Sequence, residues 1–120
     1  MNKKSGLPDC AGNCPCAAPC PVGEALRITG GKWKMRIICA LSADGTQRYN
    51  DLVRKISGIT NAMLSSSLKK LEADGIITRR QYEEIPPRVE YSLTERGREL
   101  WPILHRLAHW ASGVKYDGDD

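Results

Sequence analysis

Five cysteines are the side chains of this sequence best suited to covalent or metal chemistry. Four of them lie within eleven residues near the amino end, with the spacing C-x3-C-x-C-x3-C: Cys10, Cys14, Cys16 and Cys20. Thiolates react with oxidants and electrophiles, and they bind soft metals such as Zn(II) and Cu(I). Because the spacing is not that of a usual zinc finger, three alternatives stay open. These are redox or electrophile sensing, metal binding, and an arm whose thiols have no regulatory task.

Cys20 and Cys39 have different sequence surroundings. Cys20 directly precedes Pro21, a residue suited to the first turn of a helix, and the partial positive charge at a helix amino end favours a thiolate. Cys39 lies beside the apolar positions of another predicted helix, so we expect it to be a small buried side chain. We therefore take Cys20 as the first candidate for a sensing thiol, with the other three cysteines of the arm as further candidates.

Two histidines have the spacing at which side chains one helix turn apart can bind the same metal ion. His105 and His109 stand at i and i+4 near the carboxyl end of the sequence. Nothing near them in the sequence supplies further ligands, so we expect surface histidines there. The cysteines of the arm stay the only candidate metal ligands, and no cofactor is predicted.

A second kind of chemistry, hydrogen bonding to a polar partner, is indicated by residues 58–75. This stretch predicts one bounded helix, since Thr60 can cap its amino end and Gly75 supplies the left-handed residue that commonly ends a helix. Leu64, Leu68 and Leu71 stand at i, i+4 and i+7, which places one apolar stripe against a core. The opposite side of the helix is therefore exposed.

That exposed side carries small and hydrogen-bonding residues, without the Glu and Lys lattice of an ordinary solvated helix. Its members are Asn61, Ala62, Ser65, Ser66 and Lys69. Helices that enter the DNA major groove have this character, because Asn, Ser and Lys reach base edges and phosphates while small residues allow close approach. An ordinary amphipathic helix is the alternative, and the neighbouring elements must decide between the two.

The elements before this helix are predicted to be helical as well. Residues 22–29 suit a short helix that stops at Gly30, and residues 33–43 suit a second one with Trp33, Ile37, Ile38 and Leu41 on its core side. A third helix is expected over residues 49–56, followed by a three-residue turn, residues 57–59. A helix, a short turn containing glycine and a second helix form the helix-turn-helix pattern.

After Gly75 the hydrophobic period changes to two, which indicates strands. Residues 76–82 and 89–93 are predicted to form a hairpin, and Pro86 and Pro87 force the loop between them. A hairpin flanked by basic residues after a recognition helix is typical of a wing, whose arginines contact phosphates or enter the minor groove. The basic candidates are Arg79, Arg80 and Arg88, and together with Thr60 and the exposed side of the helix they complete the predicted DNA-binding set.

The last helix is expected to run from its cap at Thr94 to about Val114, and its apolar stripe is wider than one face. A small domain cannot easily cover such a stripe, so part of it is predicted to pack on a second copy, with the first helix as companion. The predicted dimer contacts are Val22, Leu26, Trp101, Leu104, Leu107, Ala108 and Ala111. Two-fold pairing would place two recognition helices about 34 Å apart and imply an inverted-repeat site on double-stranded DNA.

Composition supports this interpretation without deciding it. The chain of 120 residues has room for one core, and its formal net charge is +4 although three acids, Asp117, Asp119 and Asp120, crowd the last four residues. A basic body with an acidic tail suits a polyanionic partner. No apolar run is long enough for a membrane span, and the polar start lacks the apolar stretch of a signal peptide, so we expect no membrane contact and a cytoplasmic location.

Four stretches of the sequence resemble one known family. They read C-P-V at residues 20–22, G-G-K-W-K at 30–34, L-E-A-D-G at 71–75 and P-P-R-V-E-Y-S-L-T at 86–94. In this order and spacing the chain, from about Cys20 to Trp110, resembles the HxlR-type winged helix-turn-helix regulators of bacteria, which are related to the MarR-type regulators. The resemblance implies a mainly α fold with a small β-hairpin wing (α+β), dimerising through its first and last helices.

The resemblance also implies a function and a division of the chain. It implies a dimeric DNA-binding transcription factor, a repressor or an activator, in which the cysteine before the first helix senses oxidants or electrophiles in several family members; Cys20 holds that position here. The expected division is an arm (1–19), a winged helix-turn-helix domain (20–115) and an acidic tail (116–120). Cys10, Cys14 and Cys16 are not part of the family pattern, and Gly23-Glu24 departs from the longer start of many members.

Two other classes of function compete with a regulator. A thiol-based enzyme or metal carrier has only the cysteine-rich arm in its favour, since no phosphate-binding loop, paired catalytic carboxylates, Cys-His-Asp set or C-x-x-C motif occurs. A winged helix used only for protein contacts would lack affinity for duplex DNA that depends on salt. We therefore expect a DNA-binding regulator that is not an enzyme, switched by cysteine oxidation or, alternatively, by metal.

Overall fold

The computed structural model describes residues 20–113. Cys10, Cys14, Cys16, Val114 and the acidic tail lie outside the described residues. The chain forms two compact units, Met1–Gly30 and Gly31–Asp120. The sequence-based boundaries after residues 19 and 115 fall at or near the ends of the described part, and they stay predictions.

In the first unit the described residues form one helix, α1 (Pro21–Thr29), as the sequence predicts. Cys20 is its N-cap in an extended conformation, and the Cys20 carbonyl accepts from the Glu24 backbone N–H at 2.8 Å. Glu24 and Arg27 form an ion pair of 2.7 Å one turn apart on its surface. Proline at the start thus fixes the first turn, where a missing N–H costs nothing.

The second unit is mainly helical with a small sheet, as predicted. Its elements in order are α2 (Lys34–Asp44), β1 (Gln47–Arg48), α3 (Tyr49–Lys55), α4 (Asn61–Ala73), β2 (Ile77–Tyr82), β3 (Arg88–Leu93) and α5 (Glu95–Ser112). The predicted helices and hairpin strands agree with these bounds to within one or two residues. The exceptions are the short strand β1, which the sequence analysis missed, and the end of α5, where Gly113 takes a left-handed conformation and Val114 lies outside the described residues.

The sheet has three antiparallel strands in the order β1-β3-β2. β2 and β3 form the predicted hairpin, with Ile77 opposite Leu93 and Tyr82 opposite Arg88. β1 pairs Gln47 with Tyr91 on the other edge of β3. A strand of two residues carries no readable period, so only its pairing with a distant strand defines it.

The core of this unit lies between α2, α3, α4 and the start of the sheet. Its fully buried side chains are Ile37, Ile38, Leu52, Leu64, Leu71, Ile76 and Ile77. The predicted stripes of α2 and α4 supply most of them, although Trp33 is only half-buried. The apolar patterns read from the sequence therefore point to the core that forms.

Cys39 corrects a prediction, because it is exposed instead of buried. In α2 the side chains of Ile37, Ile38 and Leu41 turn towards the core. At 100° per residue, Cys39 points away from the middle of that stripe. Neighbouring groups still take part of its surface from water, and this burial raises the pKa of the Cys39 thiol.

Thr94 joins the end of α4 to the start of α5. Its hydroxyl donates to the carbonyl of Gly75 at 2.7 Å, with the Ile76 carbonyl at 3.1 Å, and accepts from the Gly97 N–H at 3.0 Å as the predicted cap. Gly97 packs directly on this junction, since a Cβ built there would lie 2.3 Å from the Ile76 carbonyl oxygen. Glycine at this position thus allows α5 to approach the backbone that follows α4.

Replacing Gly97 by alanine tests this close approach. We expect Gly97→Ala to lower the free energy of unfolding by about 1–3 kcal/mol, because the added methyl group must displace the backbone at Ile76. Urea denaturation followed by circular dichroism measures the change. Gly23→Ala is the control: its Cβ would meet only Cys20 at 3.6 Å, so higher helix propensity should leave stability unchanged or raised. Equal stability of Gly97→Ala and wild type would contradict the argument.

Candidate nucleic-acid interface

A helix-turn-helix is formed by α3, the turn at residues 56–60 and α4. Gly58 has a positive φ of 86°, a conformation that glycine adopts at no steric cost, and Ile56 and Ile59 are both buried below the turn. Thr60 caps α4 as predicted, since its hydroxyl oxygen accepts from the Met63 N–H at 3.1 Å. The turn thereby fixes the direction in which α4 leaves α3.

The predicted recognition face of α4 points to solvent. Leu64, Leu68 and Leu71 on its other side are buried, with at most 2% of each exposed. The polar side has four exposed members, Asn61, Ala62, Ser66 and Lys69, and one half-buried member, Ser65. The helix therefore offers a row of small and hydrogen-bonding groups that a second molecule can approach closely.

Tyr49 is a residue of this site that the sequence analysis missed. Its hydroxyl oxygen lies 3.0 Å from the Asn61 carbonyl oxygen, 3.2 Å from Asn61 Oδ1 and 3.1 Å from Ser65 Oγ. Tyr49 begins α3, so these contacts cross from one helix of the motif to the other. No sequence signal marks it, because the spacing of 12 and 16 residues corresponds to no local structure.

The two arginines of β2 are exposed, as a wing requires. Arg79 donates to Gln81 Oε1 at 3.3 Å, and the Arg80 guanidinium lies 4.8 Å from the centre of the Tyr82 ring. Among residues 20–113 neither has a carboxylate partner. Their charges are therefore available to a phosphate.

Arg88 is held differently from the other two. Its guanidinium lies 3.9 Å from the Tyr82 ring centre and pairs with Glu84 at 3.2 Å and Glu90 at 3.4 Å, and 26% of its side chain is exposed. Two carboxylates offset its charge and tie the loop between the strands to β3. These contacts hold the hairpin in shape, and the phosphate contact expected for Arg88 stays a prediction.

The predicted dimer contacts fall into two groups. On α5, Leu107, Ala108 and Ala111 are exposed and Trp101 is half-buried, while the neighbouring Trp110 exposes 79% of its surface. On α1, Val22 and Leu26 are exposed. Leu104 differs, because only 5% of it is exposed: it packs within its own chain and has almost no surface left for a partner.

The remaining chemical candidates show no metal site in the described part of the chain. Cys20 is half-buried at the start of α1, and the other three arm cysteines lie outside the described residues. The rings of His105 and His109 meet edge to face at 4.7 Å, and Trp101 lies 5.4 Å from His105. Between residues 20 and 113, no group of three His, Cys, Asp or Glu side chains is placed to bind a metal ion, and no helix could span a membrane.

Comparison with known proteins identifies relatives along most of the chain. The model of the family described as HxlR-like helix-turn-helix matches residues 28–117. An uncharacterized HTH-type transcriptional regulator of Halalkalibacterium halodurans is 50% identical over 95 residues, which cover 79% of this chain and 82% of the relative.

Solved structures agree with this comparison and include two regulators studied in different redox forms. The redox regulator HypR in its oxidized form superposes with a TM-score of 0.72 at 43% identity, covering 81% of this chain and 99% of HypR. The reduced form of the transcriptional regulator YodB from B. subtilis superposes with a TM-score of 0.70 at 34% identity, covering 83% of this chain and 98% of YodB. The family match, the similar sequences and the winged helix-turn-helix described above lead to one assignment: the chain belongs to the HxlR-like helix-turn-helix family of transcriptional regulators.

Proposed function

We propose that the protein binds an inverted-repeat operator in double-stranded DNA as a homodimer in the cytoplasm, and that oxidation or electrophile modification of Cys20 switches this binding. The observation that carries the DNA-binding part is the exposed polar side of α4. Thr60 caps α4, and three buried leucines hold the helix in place. The strand β2 with its two exposed arginines follows α4 in the sequence. A recognition helix inserts its amino-terminal residues into the major groove, and an adjacent hairpin contacts the flanking backbone or minor groove.

Within this surface the residues have different tasks. Lys69, Arg79 and Arg80 carry charges that suit phosphates, and these contacts position a protein without reading sequence. Asn61, Ser65 and Ser66 carry the groups that can form hydrogen bonds with base edges, while Ala62 leaves room for close approach. Thr60 uses its hydroxyl on the helix cap, so its contribution is to fix the amino end of α4.

The homodimer is supported by apolar surface that the described residues leave exposed. Ile103, Leu107 and Trp110 on α5 and Val22 and Leu26 on α1 expose between 47% and 79% of their surface. Exposed clusters of large apolar side chains are typical of interaction sites. A two-fold dimer would bring two α4 helices to one face, about one DNA turn apart.

The redox switch is supported by the position of Cys20 and by the solved neighbours. Cys20 occupies the N-cap position of α1, near the exposed Val22 of the proposed dimer surface. HypR is a redox regulator, and YodB has been solved both reduced and after diamide treatment. In a disulfide, two thiols lose two electrons and two protons to the oxidant while an S–S bond forms. Such a bond across a dimer surface would change the angle between the two reading helices.

Metal binding by the arm is the alternative signal. Its ligands would be Cys10, Cys14, Cys16 and Cys20, of which only Cys20 belongs to the described residues. Mass spectrometry of the protein after diamide treatment and, separately, after loading with Zn(II) or Cu(I) distinguishes the two signals. An arm that stays unmodified and metal-free would refute both.

A salt titration of DNA affinity tests the proposed DNA surface. The logarithm of the affinity should fall linearly with the logarithm of the salt concentration, with a slope of about −0.9 for each neutralised phosphate. Lys69→Ala and Arg79→Ala should each reduce the steepness of the slope by about one and weaken binding to all sequences. Arg36→Ala is the matched control, because it removes an exposed charge from α2, outside the proposed surface. Affinity that ignores salt in the wild type would contradict DNA binding of this kind.

Arg88 should behave unlike Arg79 in the same titration. Because Glu84 and Glu90 already offset its charge, Arg88→Ala should weaken binding by loosening the hairpin while changing the salt slope by much less than one. Fluorescence anisotropy with labelled operator measures both quantities. A slope change equal to that of Arg79→Ala would show that Arg88 contacts a phosphate after all.

Cysteine substitution tests the proposed switch. Treatment with diamide should change the operator affinity of the wild type by about fivefold or more, a usual coupling between two sites. Cys20→Ser should lose this response. Cys39→Ser is the control and should keep it, since burial raises the pKa of the Cys39 thiol and so disfavours its reactive thiolate. If Cys20→Ser responds to diamide as the wild type does, Cys20 is not the sensing residue.

A further inference from the structure

The hydroxyl of Tyr49 is the centre of a small hydrogen-bond network at the amino end of α4. It lies within 3.2 Å of three oxygen atoms: the carbonyl and the Oδ1 of Asn61, and the Oγ of Ser65. Tyr49 is half-buried and belongs to α3. The network therefore ties two residues of the proposed recognition face to the helix behind it.

The number of protons available restricts how this network can be arranged. A phenol has one proton to donate and can accept on its oxygen. Both atoms of Asn61 that face it are acceptors, so the Tyr49 proton goes to Asn61, where the backbone carbonyl at 3.0 Å and Oδ1 at 3.2 Å share it. The Ser65 hydroxyl then donates to Tyr49, which gives a directed chain from Ser65 through Tyr49 to Asn61.

This chain fixes which group Asn61 presents outwards. Its amide oxygen faces Tyr49, and among residues 20–113 no acceptor is bonded to its Nδ2. Asn61 is exposed and is the first residue of α4, the part of a recognition helix that reaches base edges. In this arrangement the two N–H donors of Asn61 are directed outwards, while its amide oxygen is turned towards Tyr49.

We propose that Tyr49 is a positioning residue that sets the base preference of Asn61, an inference that rests on the proposed DNA-binding function. An asparagine that reads adenine with two hydrogen bonds needs its amide oxygen for the adenine N6 donor and its nitrogen for N7. With the oxygen turned towards Tyr49, the nitrogen is the atom of the Asn61 amide that is directed towards a base edge. It then favours base edges that accept, namely N7 and O6 of guanine or O4 of thymine, and it disfavours cytosine and the two-bond reading of adenine.

Tyr49→Phe removes the hydroxyl and keeps the ring, so it tests the proposal with little change in packing. Duplex DNA from a random pool is selected with the full-length wild type and with the variant, and the bound sequences are compared. At one base pair of each half-site the wild type should favour guanine or thymine. In Tyr49→Phe the freed amide can turn, so adenine should gain about fivefold or more at that base pair, within the usual range for one such contact. The salt slope should stay unchanged, because no charge is removed.

Two further variants separate this role from a general effect on folding. Tyr91→Phe removes a phenol hydroxyl from β3, outside α3 and α4, and should leave the selected sequence unchanged. Ser65→Ala removes the first donor of the chain while favouring the helix, and should shift the same base pair in the same direction by a smaller factor. Ser65→Ala serves as the test instead if the Tyr49→Phe protein does not fold.

The outcomes distinguish the two proposals. If the wild type selects a sequence and both Tyr49→Phe and Ser65→Ala select it with the same base ratios, the role of Tyr49 is refuted while DNA binding stands. If the wild type selects no sequence and its affinity does not depend on salt, both proposals fail. A shift confined to one base pair per half-site, with an unchanged salt slope, supports the role of Tyr49.

Discussion

The burial of one leucine stripe is the interaction on which the rest of this structure depends. Leu64, Leu68 and Leu71 fix the rotation of α4 about its own axis, since each is almost completely removed from water. Burying a leucine side chain contributes about 1.5–3 kcal/mol, so turning the helix by one residue would be strongly unfavourable. The polar side of α4 is thereby held outward. Its hydrogen-bonding groups are accessible to a partner because the leucines on the other side are buried.

The elements around α4 convert this orientation into a defined surface. Thr60 closes its amino end, and Thr94 bonds the backbone after its carboxyl end to the start of α5. Because α5 approaches that backbone at Gly97, the helix proposed for dimer contacts and the helix proposed for DNA contacts share one junction. A change at the start of α5 can therefore reach the end of α4 through this junction.

Charge and hydrogen bonding divide the surface into parts with different roles. Arg79 and Arg80 are free of carboxylates within the described residues, whereas Arg88 is held by Glu84 and Glu90 against Tyr82. Asn61 is likewise held, by Tyr49, so its donors face outward. Held side chains lose less conformational entropy when a partner binds, which favours specific recognition over a merely attractive basic surface.

The sequence by itself determined the features that depend on neighbours a few residues away. The cap at Thr60, the stripe of α4, the turn at Gly58 and the hairpin around Pro86 were predicted because each signal is local. The tertiary structure alone decided the short strand β1 and the burial of Leu104. It also decided the contacts of Tyr49 and Arg88. The strand β1 and the contacts of Tyr49 join residues far apart in the sequence, so they exist only once packing has brought distant segments together.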